Sequence, residues 1–186
     1  SLLLTFILCV VHEGRAQDIH LPFVGAPPPM KFVPRSERTQ LSSVNDAKAH
    51  TRAAIELAEA RLARAEQLTA EQQFDAASAE LGIYQGLIDD ALHFLDDATK
   101  GKNNKMRDTF KHLELAIRAH CTRLEAIRRV TPSEYAVNVK AICEYAREAR
   151  DAALNSFYGD TVIKESTQLE KGASGGDSSS SEAKKQ

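Results

Sequence analysis

Residues 110–142 read FKHLELAIRAHCTRLEAIRRVTPSEYAVNVKAI. On both sides of the central Thr131 and Pro132, apolar residues recur every three or four positions, which is the period of an amphipathic helix. Thr131 can cap a helix, Pro132 suits a first helical position, and Glu134 completes a capping box. The stretch therefore predicts two amphipathic helices joined by a tight turn.

The same period extends over the rest of the central region. Apolar stripes run over residues 44–68, 74–98, 110–127 and 135–157. Each stripe predicts a helix that buries one face against its neighbours, and no strand-like alternation of useful length occurs. A Gly-Lys-Asn-Asn loop at 101–104 ends the second helix.

The break between the first two stripes is less distinct than the others. No Gly or Pro falls between Leu62 and Leu81, so residues 44–98 can also form one long helix. The apolar pattern is interrupted before Phe74, out of phase with a continued heptad, which favours a short turn near residues 68–73. The stretch QFDAA at 73–77 resembles the turn of a tetratricopeptide hairpin, although the Trp and Leu-Gly positions of that repeat are missing.

The predicted fold is all-α, an antiparallel four-helix bundle built from two helical hairpins with coiled-coil-like packing over residues 43–159. Within the second helix, Gly82 and Gly86 are four residues apart. This small-xxx-small spacing indicates the close approach of another helix.

An apolar run, LLLTFILCVV, occupies residues 2–11 and precedes Gly14 and Ala16. It is too short to span a bilayer, which takes about 20 residues. Residues 1–16 instead resemble a secretory signal with cleavage before Gln17, and the alternative is a buried N-terminal strand or helix. Because the chain begins with Ser and has no basic n-region, we expect the extreme N-terminus to be missing. The predicted location is secreted or periplasmic, without a stable membrane anchor in the mature chain.

Two flanking segments differ in composition from the helical region. Residues 17–42 carry five of the six prolines and predict a Pro-rich extended arm, with a docked arm as the alternative to a spacer. Residues 160–186 end in a run of Gly, Ser and charged residues, which predicts a disordered, low-complexity tail.

The 24 Lys and Arg against 26 Asp and Glu give a formal net charge of −2, which argues against nucleic-acid binding. The charges are nevertheless segregated. Residues 71–98 contain seven acids and no Lys or Arg, whereas residues 100–130 contain nine bases and three acids. One interpretation is that the second and third helices lie side by side and attract each other. The alternative is an anion site on the third helix, formed by Lys111, Arg118, Arg123, Arg128 and Arg129.

Removal of the signal segment takes Cys9 and leaves Cys121 and Cys143. An exported chain meets an oxidising compartment, and an even pair predicts a disulfide. The two cysteines lie at similar distances from the turn at Pro132, so an antiparallel hairpin places them at similar heights. The alternative is a pair of small buried apolar residues.

The nearest approach to a metal site is Asp90-x-x-His93 together with Asp108-x-x-x-His112. His93 and His112 flank the same loop, so a surface zinc or copper site is the hypothesis they support. We predict no bound cofactor, since haem-attachment and phosphate-loop motifs are absent from the sequence.

No nucleophile or metalloprotease motif occurs, and the sequence favours a non-enzymatic protein. The leading hypothesis is an exported helical module that binds another protein or an envelope component. The alternative is a helical bundle that binds a metal or an anion, through His93 and His112 with nearby acids or through the basic third helix.

Overall fold

The computed structural model describes residues 25–99 and 106–173, with side chains as far as residue 158. Over these ranges it contains five helices and no strand. They are α1 (Arg35–Ser42), α2 (Ala47–Ala70), α3 (Phe74–Thr99), α4 (Arg107–Val130) and α5 (Ser133–Ala173). The all-α prediction is confirmed. The predicted signal segment lies outside the described residues.

The four long helices pair as two hairpins, α2 with α3 and α4 with α5, and these pairs have the most extensive contacts. The first turn lies between Ala70 and Phe74, so residues 44–98 form a hairpin and not one long helix. The two predicted hairpins are confirmed, and α1 is an additional short helix that packs on α2.

The hairpins stack side by side, so that α2 packs on α4 and α3 packs on α5. The end of α2 and the end of α4 line one groove, and Phe74 at the start of α3 contacts Tyr135 near the start of α5 with ring centroids 5.7 Å apart. Neighbours in different hairpins therefore run parallel, and helices within a hairpin run antiparallel.

In this arrangement the ion pairs between helices differ from those predicted from the charge pattern. The acidic α3 and the basic α4 do not form one of the extensively packed pairs among the described helices. Arg123 of α4 instead donates two hydrogen bonds, of 2.7 and 2.6 Å, to Glu66 of α2. These bonds lower the pKa of the Glu66 carboxyl. The expected pairing of the second with the third helix is wrong, because stacking the hairpins in parallel places α2 beside α4.

The core between the hairpins is mainly apolar, and its buried polar groups include a contact between a tyrosine and a histidine. Tyr84 of α3 is fully buried and His120 of α4 is 3% exposed, with the tyrosine hydroxyl 3.4 Å from Nδ1 of His120. Burial lowers the pKa of His120 and raises that of Tyr84, so both are neutral at pH 7. This contact crosses the diagonal of the four-helix arrangement. The largest fully buried apolar side chains are Leu62, Leu81, Leu87, Ile88, Leu95, Leu113, Ile117, Leu124 and Ile142.

The two turns end their helices differently, the first through main-chain hydrogen bonds and the second through a side-chain hydroxyl. At the end of α2, the Gln73 N–H donates to Leu68 O (2.8 Å) and the Gln72 N–H to Thr69 O (3.0 Å), which is the Schellman pattern. Gln72 has φ 62°, in the left-handed region that favours glycine. At the second turn, α5 begins at Ser133 and not at Pro132, whose carbonyl oxygen accepts from the Ala136 N–H at 2.9 Å. The Thr131 hydroxyl donates back to Ile127 O and does not cap α5.

The predicted arm is extended only to Pro34, after which residues 35–42 form α1. We call residues 25–34 the seated arm. Helix α1 is anchored where Arg61 of α2 donates to both Glu37 of α1 and Glu80 of α3. This contact leaves Glu37 at 6% exposure, next to an oppositely charged group.

Helix α5 continues to Ala173, into the segment predicted as a disordered tail. Residues 160–171 contain no Gly or Pro, and that is why the helix is not interrupted after Gly159. The part of the predicted tail after Ala173 lies outside the described residues.

We predict that Gln72→Gly stabilises the protein by about 1 kcal/mol. The left-handed conformation costs a non-glycine residue about 1–2 kcal/mol, and the greater freedom of glycine in the unfolded chain offsets part of that gain. Urea unfolding followed by circular dichroism measures the change. Gln73→Gly is the matched control: its φ is not positive, so it should lower stability. Equal effects of the two substitutions would contradict the assignment of strain to Gln72.

Candidate functional site

The seated arm lies on two glycines of α3. A Cβ atom added to Gly82 would lie 2.3 Å from the carbonyl oxygen of Met30, and one added to Gly86 would lie 2.5 Å from that of Phe32. Both distances are far below van der Waals contact, so only glycine allows the main chain of the arm to approach α3 this closely. The predicted close approach at Gly82 and Gly86 is therefore made by an extended segment and not by a helix.

Helix α5 holds the other end of the seated arm through its main chain. The Ala26 N–H donates to Glu134 O at 2.9 Å. The side-chain amide of Asn138 donates to Ala26 O at 2.9 Å and to Pro27 O at 3.0 Å. These bonds recognise the backbone of the arm, and they depend on an extended conformation that the following prolines favour.

One side chain of the seated arm is recognised specifically. The Lys31 ammonium lies 3.1 Å from Asp89 Oδ2 and 5.7 Å from the ring centroid of Tyr145. The Tyr145 hydroxyl donates to Asp89 Oδ1 at 3.2 Å. Burial raises the pKa of Tyr145, so this donor stays protonated at neutral pH. The surface formed by α3 and α5 is called the arm groove. It combines two glycines, hydrogen bonds from Asn138 to the backbone of the arm, and a binding site for the Lys31 ammonium between Asp89 and Tyr145.

A second groove lies at the end of the molecule where both hairpin turns are found, and its volume is about 770 Å³. We call it the turn-end groove. Its walls are mainly apolar, and the side chains come from α2, α3, α4 and the second turn. The lining residues are Glu66, Thr69, Ala70, Gln72, Phe74, Ala126, Ile127, Val130 and Pro132.

An exposed stripe on α4 leads into the turn-end groove. Leu115 and Val130 are 47% and 68% exposed, and the uncharged residues between them on the same face are also exposed. The spacing of three and four residues places them on one side of the helix. The members of this α4 stripe are Leu115, Ala119, Thr122, Ala126 and Val130. Ala126 and Val130 belong to both surfaces, so stripe and groove are continuous.

The two predicted metal ligands of the second helix, Asp90 and His93, have other partners in the structure. Asp90 accepts from His50 Nε2 at 2.7 Å, and the His50 ring stacks on Phe94 with centroids 3.7 Å apart. His93 is exposed, and its Nδ1 lies 2.8 Å from the carbonyl oxygen of Asp89. A cavity of about 350 Å³ contains both Asp90 and His93, but it is also lined by Lys31 and Arg38. Cationic neighbours disfavour a divalent metal there.

Asp108 and His112 are exposed in the first turns of α4. No group of three or more His, Cys, Asp or Glu side chains with metal-binding geometry is found within 25–99 or 106–158. The four predicted ligands are therefore not brought together by the described structure.

The five predicted anion-binding residues do not converge on one site either. Arg118, Arg123 and Arg128 are engaged by Glu114, Glu66 and Glu125, at 2.6, 2.6 and 2.8 Å. The Lys111 ammonium lies 5.9 Å from the ring centroid of Phe157. Arg129 is exposed in the last turn of α4. Three of the five charges are used in ion pairs, which weakens an anion site.

Cys121 and Cys143 are free in the structure, so the expected disulfide is not formed there. Burial raises the pKa of both thiols, that of Cys143 to about 11. The thiolate is the form that reacts in disulfide exchange, and burial therefore slows oxidation of this pair. Cys143 instead contributes to the apolar core, at 1% exposure.

Several site residues carry little sequence signal. Asn138 is the only Asn in the first half of α5, yet nothing in its spacing indicates that it binds another segment. Tyr145 belongs to a helical pattern that predicts packing alone. The two glycines were the one signal available, and they indicated close approach without identifying the approaching segment.

No protein-family model matches this chain, and the searches of curated proteins and of solved structures also gave no match. None of the described helices has the length and apolar character needed to cross a membrane.

We predict that Gly82→Ala releases the seated arm without unfolding the hairpins. The new methyl group clashes with Met30 O, whereas alanine favours the helix by about 1 kcal/mol over glycine. Trypsin cleavage at Lys31 should accelerate at least about tenfold, while helicity by circular dichroism stays unchanged. Ser78→Ala on the same helix is the control for helix propensity. Unchanged cleavage in Gly82→Ala would contradict the described contact.

Proposed function

We propose that this chain is an exported, non-enzymatic protein-interaction module that binds an amphipathic helix of a partner protein. The observation that carries the proposal is the α4 stripe running into the turn-end groove. An exposed uncharged face that continues into an apolar groove is a typical site for a helix of another protein. Such a helix would place small and apolar residues along the stripe and a larger side chain in the groove.

The charges around the stripe define the partner further. Helix α4 contains six basic and three acidic residues. Lys111, Arg118 and Arg129 are exposed beside the stripe, and Glu114, the acid that pairs with Arg118, is buried. The exposed charges that α4 places beside the stripe are therefore mainly positive, which favours a partner helix with acidic residues next to its apolar face. Glu66 of α2, which lines the turn-end groove, is paired with Arg123. A second copy of α4 would instead bring like charges together.

The stripe also fits a helix sterically. Ala119 and Ala126 are small, and small residues at a helix surface allow another helix to approach closely. Leu115 and Val130 at the two ends supply the larger apolar contacts. The contact area is elongated and about four helical turns long, which suits one helix of ordinary length.

The test is binding of a fluorescent 18-residue helical peptide that carries leucines at heptad spacing and flanking glutamates. We expect saturable binding to the full chain, measured by fluorescence anisotropy. Val130→Asp should weaken binding at least about tenfold, because it places a carboxylate at the junction of stripe and groove. Val130 is 68% exposed, so this change removes no contact of the buried core.

Val137→Asp is the matched control, since Val137 is an equally apolar, exposed residue on α5, at 56% exposure. It should bind the acidic peptide like the unmodified chain. A peptide with lysines in place of the glutamates should bind less than the acidic one. Loss of binding in both variants, or a preference for the lysine peptide, would contradict the proposed surface.

Export is the second part of the proposal, and residues 1–16 support it through their signal-like sequence. We would fuse residues 1–24, preceded by Met and two lysines, to alkaline phosphatase in a bacterial host. We expect active enzyme and a mass that corresponds to cleavage before Gln17. A fusion without residues 2–11 is the control. An uncleaved, inactive fusion would contradict export.

A further inference from the structure

We propose that the arm groove also accepts the arm of a second copy, so that two chains can associate by exchanging residues 26–33. The inference goes beyond the proposed partner helix, because it concerns the opposite pair of helices. It is based on the kind of contact that holds the seated arm.

The seated arm contributes little to the core of the hairpins. Met30 is 74% exposed and points mainly to solvent, Phe32 is 43% exposed, and Val33 is the one apolar residue of the arm that packs against the core. The contacts with the groove are made by the main chain at Ala26, Pro27, Met30 and Phe32, and by the Lys31 ammonium. A release of the arm therefore removes the contact of Val33 and leaves the rest of the core between the hairpins in place.

The groove recognises a separate segment, as a peptide-binding site does. Backbone hydrogen bonds from Asn138, close approach at the two glycines and a pocket for one cation are features that a segment from another chain can satisfy equally well. The proline triplet at 27–29 restricts the arm to extended conformations, which lowers the entropy lost when it is seated in either chain.

The arm of a second copy has the same sequence as the seated arm, so it is complementary to the arm groove. Exchange of an identical element preserves every contact of the arm groove and requires no new surface. The charge match is also preserved, since Lys31 of either chain meets Asp89 and Tyr145.

The test uses two full-length variants that are defective in complementary ways. The arm variant, Ala26→Pro with Lys31→Glu, lacks the N–H that donates to Glu134 O and places a carboxylate beside Asp89. The groove variant, Gly82→Ala with Gly86→Ala, has an intact arm and a groove closed by two methyl groups. Neither variant can seat its own arm. In a mixture, the arm of the groove variant can occupy the groove of the arm variant.

Native mass spectrometry, with one variant labelled by ¹⁵N, distinguishes the heterodimer from either homodimer. We expect heterodimers in the mixture and monomers in each variant alone, at concentrations up to about 100 µM, a range that detects weak association. Adding the two alanines to the arm variant should abolish the heterodimer. The single changes Lys31→Glu and Gly86→Ala form a second, milder pair if a double variant does not fold.

Monomers alone in the mixtures of both pairs would overturn the proposal. Homodimers in either variant alone would also overturn it, because they would show association through another surface. The acidic peptide of the preceding section binds α4 and not the arm groove, so the outcome of this test and that of the proposed function are independent.

Discussion

The structure depends on the mutual burial of two helical hairpins that cannot cover their apolar faces alone. Each of α2 to α5 has an apolar stripe that faces the core, and a two-helix hairpin leaves part of both stripes open to water. Stacking the hairpins closes that surface, with fully buried Leu62, Leu87 and Leu124 from three of the helices. The buried contact between Tyr84 and His120 lies at the centre, and burial keeps both groups uncharged.

Parallel stacking gives the two sides of the molecule different roles. On one side, α2 and α4 meet through the ion pair of Arg123 with Glu66, and both turns lie at the same end, where they form the turn-end groove. On the other side, α3 and α5 leave a channel whose floor is glycine, and the seated arm fills it. A bundle with α3 beside α4 would have neither the turn-end groove nor the channel between α3 and α5. The two candidate interaction surfaces are thus consequences of one packing choice.

The helices and their breaks follow from local chemistry, and the sequence predicts them for that reason. Apolar periodicity identified the four long helices, and the loop at 101–104 and the turn at Pro132 separated them correctly to within a few residues. The partners of each helix were not predictable in the same way. Attraction between the acidic α3 and the basic α4 is a long-range term that salt screens, whereas packing of apolar stripes is a contact term of larger size. The contact term places α2 beside α4.

The arm groove was predictable from the sequence only at its two glycines, because the absence of a Cβ atom has a direct steric effect. Gly82 and Gly86 indicated close approach, because a missing Cβ has no other use in the middle of a helix, where glycine costs about 1 kcal/mol relative to alanine. Asn138 and Tyr145 gave no such signal, since an amide or a phenol on a helix suits solvent as well as it suits a bound segment. The helix destabilisation caused by the two glycines is informative in itself. It is offset only if another segment packs on the glycines, and in this structure that segment is the backbone of the seated arm. The arm is therefore a specific ligand of α3 and α5 rather than a segment that happens to lie on the surface.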